Sequence, residues 1–534
     1  MLKFKQIIVL VLDGFGVATT SEGNAITATP TPNLNFLINN FPTCTLQASG
    51  PAVGLPWGER GNSEVGHLNL GAGRIVSQDL LRITTAISSG DFFQNPTFTG
   101  ALEHVKKNGS RLHLVGLVSN GGVHSSEEHL YALLAMAADN GVKDVFVHMF
   151  TDGRDTPPKS AQESLDRLQR KFFETGVGKI ATITGRFYAM DRAGHWELTQ
   201  QTYQAMVAGT GNFATSARSA VIGYYERQIF DETLPPTVIT DSQGEPLGKI
   251  QDNDSVIFFN FRPDRILQLA QSFLMLHFDK FPTGQKPAMR NMYFVTMTEY
   301  AKNLPSLIAF SPVKINKGLS ELVSMQGWPQ FHVAESEKYA HVTSFFNGGW
   351  EDPWPLEEHE IITSPASYKQ RYADVPEMSV RGVTERIIAK LNSGMAFVLA
   401  NFANADMVGH TGIKDACIHA VAAVDECIGQ ITKVAGARGA CFIITADHGN
   451  IEQIIDPITG MIDTEHSLNP VPLIVAGHGL ELGKSRATGY AGLAALVPDG
   501  VLSDLSPTVV ELYGLSKPRE MTAVSLVPTL MRQI

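Results

Sequence analysis

Apolar residues gather in short runs along this chain, and each run gives way to a polar loop and then to a longer amphipathic stretch. From residue 111 onward, Leu112 to Val118, Val145 to Met149, Ile180 to Ile183, Val256 to Phe259 and Tyr293 to Met297 follow this rhythm. Short apolar runs read as buried strands, and strands alternating with helices predict a parallel α/β sheet with its chemistry at the strand ends. The same alternation describes residues 1–76 and 390–534. Near the end, Ser506-Pro507 predicts a helix start, with serine as the cap and proline in the first turn, and Gly514 predicts its stop. No internal repeat or low-complexity tract interrupts the pattern.

Three of the runs end in the same chemistry. Ile7 to Asp13, Phe397 to His410 and Cys441 to Asn450 each pass from an apolar strand into Asp or His. Asp406 and His410 are four apart, so one helical turn presents both to one ion, although an exposed helix face has the same spacing. Asp447 and His448 follow a strand and enter a glycine-containing turn, and His466 precedes the run Val471 to Ala476. Three Asp and three His beside Ser63, in Gly61-Asn62-Ser63-Glu64, suffice for two divalent ions. Mixed carboxylate and imidazole donors without thiolate favour Mn²⁺ or Zn²⁺ over Ca²⁺. A serine hydroxyl is a poor nucleophile at neutral pH, and coordination would activate it. Taken without these ligands, Ser63 reads as a helix N-cap.

The ligand-type residues occupy only the outer parts of the chain. The economical topology is a discontinuous metal domain of residues 1–76 and 311–534, with a second α/β domain, 77–310, inserted. Hinges are expected near Val76-Ser77-Gln78 and Phe310-Ser311-Pro312. In the insert, Arg154-Asp155, then Arg186 and Arg192, then Arg262 and Arg265 each follow a predicted strand. Five arginines at one sheet edge make an anion clamp, because guanidinium matches carboxylate and phosphate. His124 lies on a similar loop, as a hydrogen-bond donor or a packing residue.

Length and charge narrow the picture further. At 534 residues the chain exceeds one ordinary core, and 43% apolar with 18% charged residues is a soluble globular composition. No apolar run approaches the roughly 20 residues of a membrane span. The opening Met1-Leu2-Lys3-Phe4-Lys5 and the following apolar run close on Asp13 and are expected to be the first strand rather than a leader. A formal charge of −11 without a basic run excludes nucleic acid as an expected partner and leaves a small anionic substrate. Cys44, Cys417, Cys427 and Cys441 show no C-x-x-C spacing, which suits a reducing cytoplasm. The absence of an evident apolar surface stripe favours a monomer.

With these residues in hand, the chain resembles cofactor-independent phosphoglycerate mutase over essentially its full length. The resemblance is carried by LDGFG (12–16), GNSEVGHLNLGAGR (61–74), DGRD (152–155), NFRPDR (260–265), AESEKYAHVTSFFNGG (334–349), NFANADMVGH (401–410) and TADHGN (445–450). It implies two α/β domains, the metal domain similar to alkaline phosphatase, and interconversion of 3-phosphoglycerate and 2-phosphoglycerate without 2,3-bisphosphoglycerate. It further implies a phosphoserine on Ser63 and two ions, Mn²⁺ in the first place, with Zn²⁺, Co²⁺ or Mg²⁺ as alternatives. One ion would be held by Asp13, Ser63, Asp447 and His448, and the other by Asp406, His410 and His466. Substrate would meet His124, Arg154, Asp155, Arg186, Arg192, Arg262, Arg265 and Lys338, with Asp155 as general acid/base and Lys338 neutralising phosphate charge near Ser63. Family members often carry alanine before the last metal histidine, whereas Glu465 stands here. A metallophosphatase would need the same metal centre but no carboxylate clamp, and a binding protein that had lost catalysis would lack a ligand or the nucleophile.

Overall fold

The structure is a computed structural model that describes residues 3–283, 290–365, 371–483 and 485–534. Of the opening segment read as the first strand, Met1 and Leu2 lie outside the described residues. The chain divides into two compact units, Met1–Gln78 with Val313–Ile534, and Asp79–Pro312. In chain order β1 (Ile7–Leu12) and β2 (Thr43–Gln47) precede the second unit. That unit contains β3 (Leu112–Leu117), β4 (Val145–Thr151), β5 (Lys179–Gly185), β6 (Asn212–Ala214), β7 (Thr237–Ile239), β8 (Ser255–Phe258), β9 (Tyr293–Thr298) and β10 (Leu307–Phe310). The first unit resumes with β11 (Gln330–Glu335), β12 (Glu357–Ile362), β13 (Phe397–Phe402), β14 (Cys441–Thr445), β15 (Val471–Ala476) and β16 (Gly500–Val501).

In the first unit the strand order is β12-β11-β13-β1-β14-β15-β2-β16. All six residues of β1 are buried, as a strand covered on both faces requires. It pairs in parallel with β13, Ile7 opposite Phe397, and with β14, Ile7 opposite Cys441, so the carboxyl ends of the three strands lie side by side. β15 instead runs antiparallel to β14, with Thr445 opposite Leu473. The link between them carries no long helix to make a crossover, and a loop connection returns the chain antiparallel. Because of this reversal, the residues that enter β15 reach the edge at which β14 ends.

The second unit has the order β10-β9-β8-β3-β4-β5-β7-β6, mostly parallel, with β7 antiparallel to β5. Its sheet is covered on both sides: Leu112 and Leu114 join one apolar cluster, and Val115 and Leu117 join another. The antiparallel strands in both units depart from the parallel order expected of the alternation. A second departure concerns the helix Leu505–Leu512, whose cap is Asp504 rather than Ser506. Ser506 lies inside it and donates its hydroxyl to the carbonyls of Leu70 and Gly71, a long-range pairing that no local pattern contains. No helix among the described residues is long and apolar enough to cross a membrane.

A polar chain crosses the second sheet within its core. His113 Nε2 lies 3.1 Å from Asp254 Oδ2, His113 Nδ1 3.0 Å from His148 Nε2, and His148 Nδ1 3.0 Å from the Thr182 hydroxyl. The protons that satisfy every partner run one way, from Thr182 through both neutral rings to the carboxylate. Burial lowers the pKa of His113, and lowers that of His148 well below the usual histidine range. In the unfolded chain both titrate near ~6.5, so below that pH the unfolded state binds more protons and stability falls. His148→Gln removes one titrating ring. Urea denaturation at pH 7.5 and pH 5 should show the variant losing about 1–2 kcal/mol less across this window than the wild type. Equal losses in the two proteins would contradict the account.

Candidate active site and metal centre

Ser63 opens the helix Ser63–Ala72, whose cap is Asn62: the Asn62 side chain accepts from the Val65 amide. The serine hydroxyl is therefore free of the capping role and meets the strand ends instead. Its Oγ lies 2.7 Å from Lys338 Nζ, 3.0 Å from His448 Nε2 and 3.1 Å from Asp13 Oδ1. Asp13 follows β1, Asp406 lies in the helix Asn404–Gly409 after β13, and Asp447 and His448 follow β14. Lys338, delivered by the turn after β11, reaches Asp13 Oδ1 at 2.7 Å and Asp406 Oδ2 at 2.6 Å.

Asp13, Asp406 and Asp447 are all buried, and a single ammonium stands among them. Burial alone would raise the pKa of Asp13, but Lys338 and the His448 contact outweigh it and hold the acid well below the carboxylate range. Asp406 is likewise lowered against burial, chiefly by Lys338 and then by His410 and His466. Burial would lower Lys338, and the three carboxylates instead carry it above the lysine range. For His448 burial is again opposed, and Asp447, Asp13 and Asp406 bring its pKa up to about 9.

His410 and His466 fit a cation for a more specific reason. His410 Nδ1 lies 2.6 Å from the Thr464 carbonyl and His466 Nδ1 2.7 Å from the Gly61 carbonyl, so each Nδ1 carries the proton and donates it. Their Nε2 lone pairs then face each other at 3.2 Å, each 3.2 Å from Asp406 Oδ1. Three acceptors aimed at one point suit a cation there, as they suit a proton on one of the rings, and Asp406 raises the pKa of His410. The donors of Asp406, His410 and His466 fall within 4.8 Å of one another, as do those of Asp13, Asp406 and His448. Asp447 Oδ2 is buried without a hydrogen-bond partner, which a further cation would satisfy. The residues thus fit divalent ions.

Several members of this cluster left no sequence signal. Asn401 Nδ2 donates to Asp13 Oδ2 at 2.7 Å and to His67 Nε2 at 3.0 Å, while His67 Nδ1 donates to the Ser63 carbonyl at 2.9 Å. Asn450 Nδ2 donates to Asp406 Oδ1 at 3.0 Å. Only their position inside or beside the motif segments pointed to them. Glu465, the unusual neighbour of His466, has an exposed side chain.

In the second unit, the carboxyl ends of β3, β4, β5 and β8 deliver His124, Arg154 with Asp155, Arg186, and Arg262 with Arg265. Arg186 is buried and donates to Asp152 Oδ1 at 2.7 Å and Asp155 Oδ2 at 2.5 Å. Asp152 also accepts from the Arg154 and Asp155 amides and from Ser119 Oγ, so one buried acid shapes the turn and aims the arginine. Asp264 gathers Arg192 at 2.6 Å, Arg262 at 3.1 Å and His124 Nδ1 at 3.6 Å. Arg154, half exposed, faces Glu232 at 3.6 Å. Burial first, and then Arg192, Arg186 and Arg154, lower the pKa of Arg265, so these guanidinium groups lie close enough to act on one another. Burial and the Arg186 guanidinium bring His124 down to about 4, leaving a neutral ring. Asp152 and Asp264 are acids inside DGRD and RPDR, and the sequence offered them only as neighbours of the arginines.

A mostly parallel α/β sheet that sets a serine, an ammonium and a carboxylate–imidazole cluster at the ends of its central strands is built as an enzyme of the phosphoryl-transfer class would need. A family model described as BPG-independent PGAM N-terminus matches residues 83–302. The chain is 48% identical over 527 residues to 2,3-bisphosphoglycerate-independent phosphoglycerate mutase 1 of Methanosarcina barkeri, covering 98% of each. It is 46% identical to the 2,3-bisphosphoglycerate-independent phosphoglycerate mutase of Clostridium beijerinckii, covering 98% of this chain and 99% of that one. A crystal structure of Leishmania mexicana phosphoglycerate mutase at low cobalt concentration matches with TM-score 0.65 and 30% identity over 98% of each chain. The chain belongs to the 2,3-bisphosphoglycerate-independent phosphoglycerate mutase family, and it is an isomerase.

Metal binding has a direct thermodynamic signature. A divalent ion that binds only the native protein would, at about 100 times its dissociation constant, stabilise it by about 2.7 kcal/mol. Adding Mn²⁺ to chelated protein should raise the melting temperature by roughly 2–4 °C, the shift that the unfolding entropy of a unit this large allows. Asp406→Ala should lose most of that rise. No rise with any divalent ion would contradict the reading of this cluster as a metal site.

Proposed function

We propose that the chain interconverts 3-phosphoglycerate and 2-phosphoglycerate through a phosphoserine on Ser63, without 2,3-bisphosphoglycerate, and acts as a cytoplasmic monomer. The observation that carries the reading is the placement of Ser63 Oγ within 2.7 Å of Lys338 Nζ and 3.1 Å of Asp13, beside a carboxylate–imidazole cluster. Two divalent ions, Mn²⁺ in the first place, held by Asp13, Ser63, Asp447 and His448 and by Asp406, His410 and His466, would supply Lewis-acid stabilisation of phosphoryl charge.

The chain's own residues do the rest. Ser63, its hydroxyl proton lost to solvent beforehand, attacks as the alkoxide: its Oγ forms a bond to phosphorus as the bond to the glycerate oxygen breaks, Lys338 neutralises charge on the phosphoryl oxygens, and the return step releases the same alkoxide. Asp155 gives a proton to the departing glycerate oxygen and later takes one from the other hydroxyl as that hydroxyl receives the phosphoryl group back. His124, Arg154, Arg186, Arg192, Arg262 and Arg265 hold the glycerate carboxylate and hydroxyls while its phosphate resides on the serine. The convergence of arginines at one sheet edge favours this over a hydrolase, which needs no carboxylate clamp. The names of the relatives support the substrate pair, and four buried free cysteines support a reducing compartment.

Ser63→Ala should lower mutase activity by at least about 10⁴-fold, because no other group takes the phosphoryl in its place. The fold should persist, since the change removes little packing. Mass spectrometry of acid-quenched wild type should locate phosphate on Ser63. Phosphate on His67 or another histidine would overturn the assignment.

A further inference from the structure

Glu452 is a buried acid, 1% exposed, that the phosphoryl chemistry leaves unused. It stands in the short turn Ile451–Gln453, just past Asp447 and His448. Its Oε2 accepts from the Gly16 amide at 3.0 Å and the Asn450 amide at 2.8 Å. Its Oε1 accepts from the Ser467 hydroxyl and from Asn469 Nδ2 at 3.0 Å. Each donor belongs to a loop that carries a ligand-type residue: Gly16 follows Asp13, Asn450 follows His448, and Ser467 adjoins His466. No cationic side chain pairs with this carboxyl group among the described residues, and its four partners are neutral donors.

The close approach has left a mark in the sequence. A Cβ on Gly16 would lie 2.3 Å from Glu452 Oε1, and a Cβ on Gly449 would lie 2.3 Å from the same atom. Neither residue has a positive φ, so these glycines, in LDGFG and ADHGN, answer to the space the carboxylate fills rather than to the backbone. A carboxylate accepts from all four donors at once. Glutamine would set its amide against the Gly16 and Asn450 N–H groups in one orientation and against Asn469 Nδ2 in the other, where the Ser467 hydroxyl can turn to accept.

We propose that Glu452 is a positioning residue: one acceptor-only carboxylate locks the three loops bearing Asp13, Asp447, His448 and His466 in a single geometry and thereby sets the affinity of the cluster for divalent ions. The inference rests on the reading of those residues as metal ligands. Residues that orient metal ligands commonly control affinity by about 10–100-fold.

The test is Mn²⁺ titration of chelated full-length protein, read as free Mn²⁺ by electron paramagnetic resonance, on wild type, Glu452→Gln and Ser467→Ala. Circular dichroism and melting of the metal-free proteins verify that each is folded at the temperature used. Glu452→Gln should bind Mn²⁺ on the order of 10–100-fold more weakly. Ser467→Ala, which removes one donor of four, should bind several-fold more weakly and regain turnover at saturating Mn²⁺. The Ser467 variant decides the matter if Glu452→Gln does not fold. A purely structural role would lower the melting temperature and leave the affinity unchanged. Wild-type affinity in the folded variants overturns the proposal and leaves the metal reading standing, whereas failure of the wild type to bind Mn²⁺ overturns the metal reading itself.

Discussion

Three buried carboxylates share one ammonium at the carboxyl edge of the first sheet, and this imbalance governs what the rest of the unit does. Asp13, Asp406 and Asp447 leave more negative charge in the interior than Lys338 and the His448 ring, its pKa brought up to about 9, offset together, and the cost of burying unpaired charge runs to several kcal/mol per ion. A protein tolerates that only where cations compensate or where the charge has a use. Here the fold spends its central strands on maintaining the arrangement. β1, β13 and β14 are parallel neighbours, so their ends cannot drift apart without breaking a fully buried ladder. β15 reverses direction, and the loop before it brings His466 to the same edge.

The second unit presents the opposite imbalance in a milder form. Its arginines are not left loose in solvent. Asp152 and Asp264 hold the Arg186, Arg192 and Arg262 side chains in place before any ligand arrives. Ordering long side chains in advance removes a cost that binding would otherwise carry. The lowered pKa of Arg265 reflects that crowding, after burial. An anion entering such a group relieves repulsion and gains charge-assisted bonds in one event.

Much of this was legible in the sequence because the strands are short, apolar and followed at once by Asp, His or Arg. The runs at 7–12, 112–117 and 441–445 needed only their composition to be read as buried strands. Ligand-type residues next to such runs are local signals, and the structure brings Asp13, Ser63, Asp406, His410, Asp447, His448 and His466 together. What pairing across hundreds of residues decides was not legible. Nothing local tells that Ser506 bonds to Leu70 and Gly71 and leaves the cap to Asp504. Nor does any local pattern reveal that Asn401 joins Asp13 to His67, or that Glu452 occupies the space above two glycines. Lys338 was reached through the family resemblance alone, and its central place follows from the turn after β11.

The central claim is that the phosphoryl group rests on Ser63 while glycerate stays bound and accepts it back. Turnover in the presence of excess isotopically labelled free glycerate tests this most directly, with label followed in 2-phosphoglycerate and inorganic phosphate measured alongside. The account predicts that label stays out of product over many turnovers and that phosphate release is minor. Label entering product at a rate comparable to turnover, or phosphate as the main product, would contradict it.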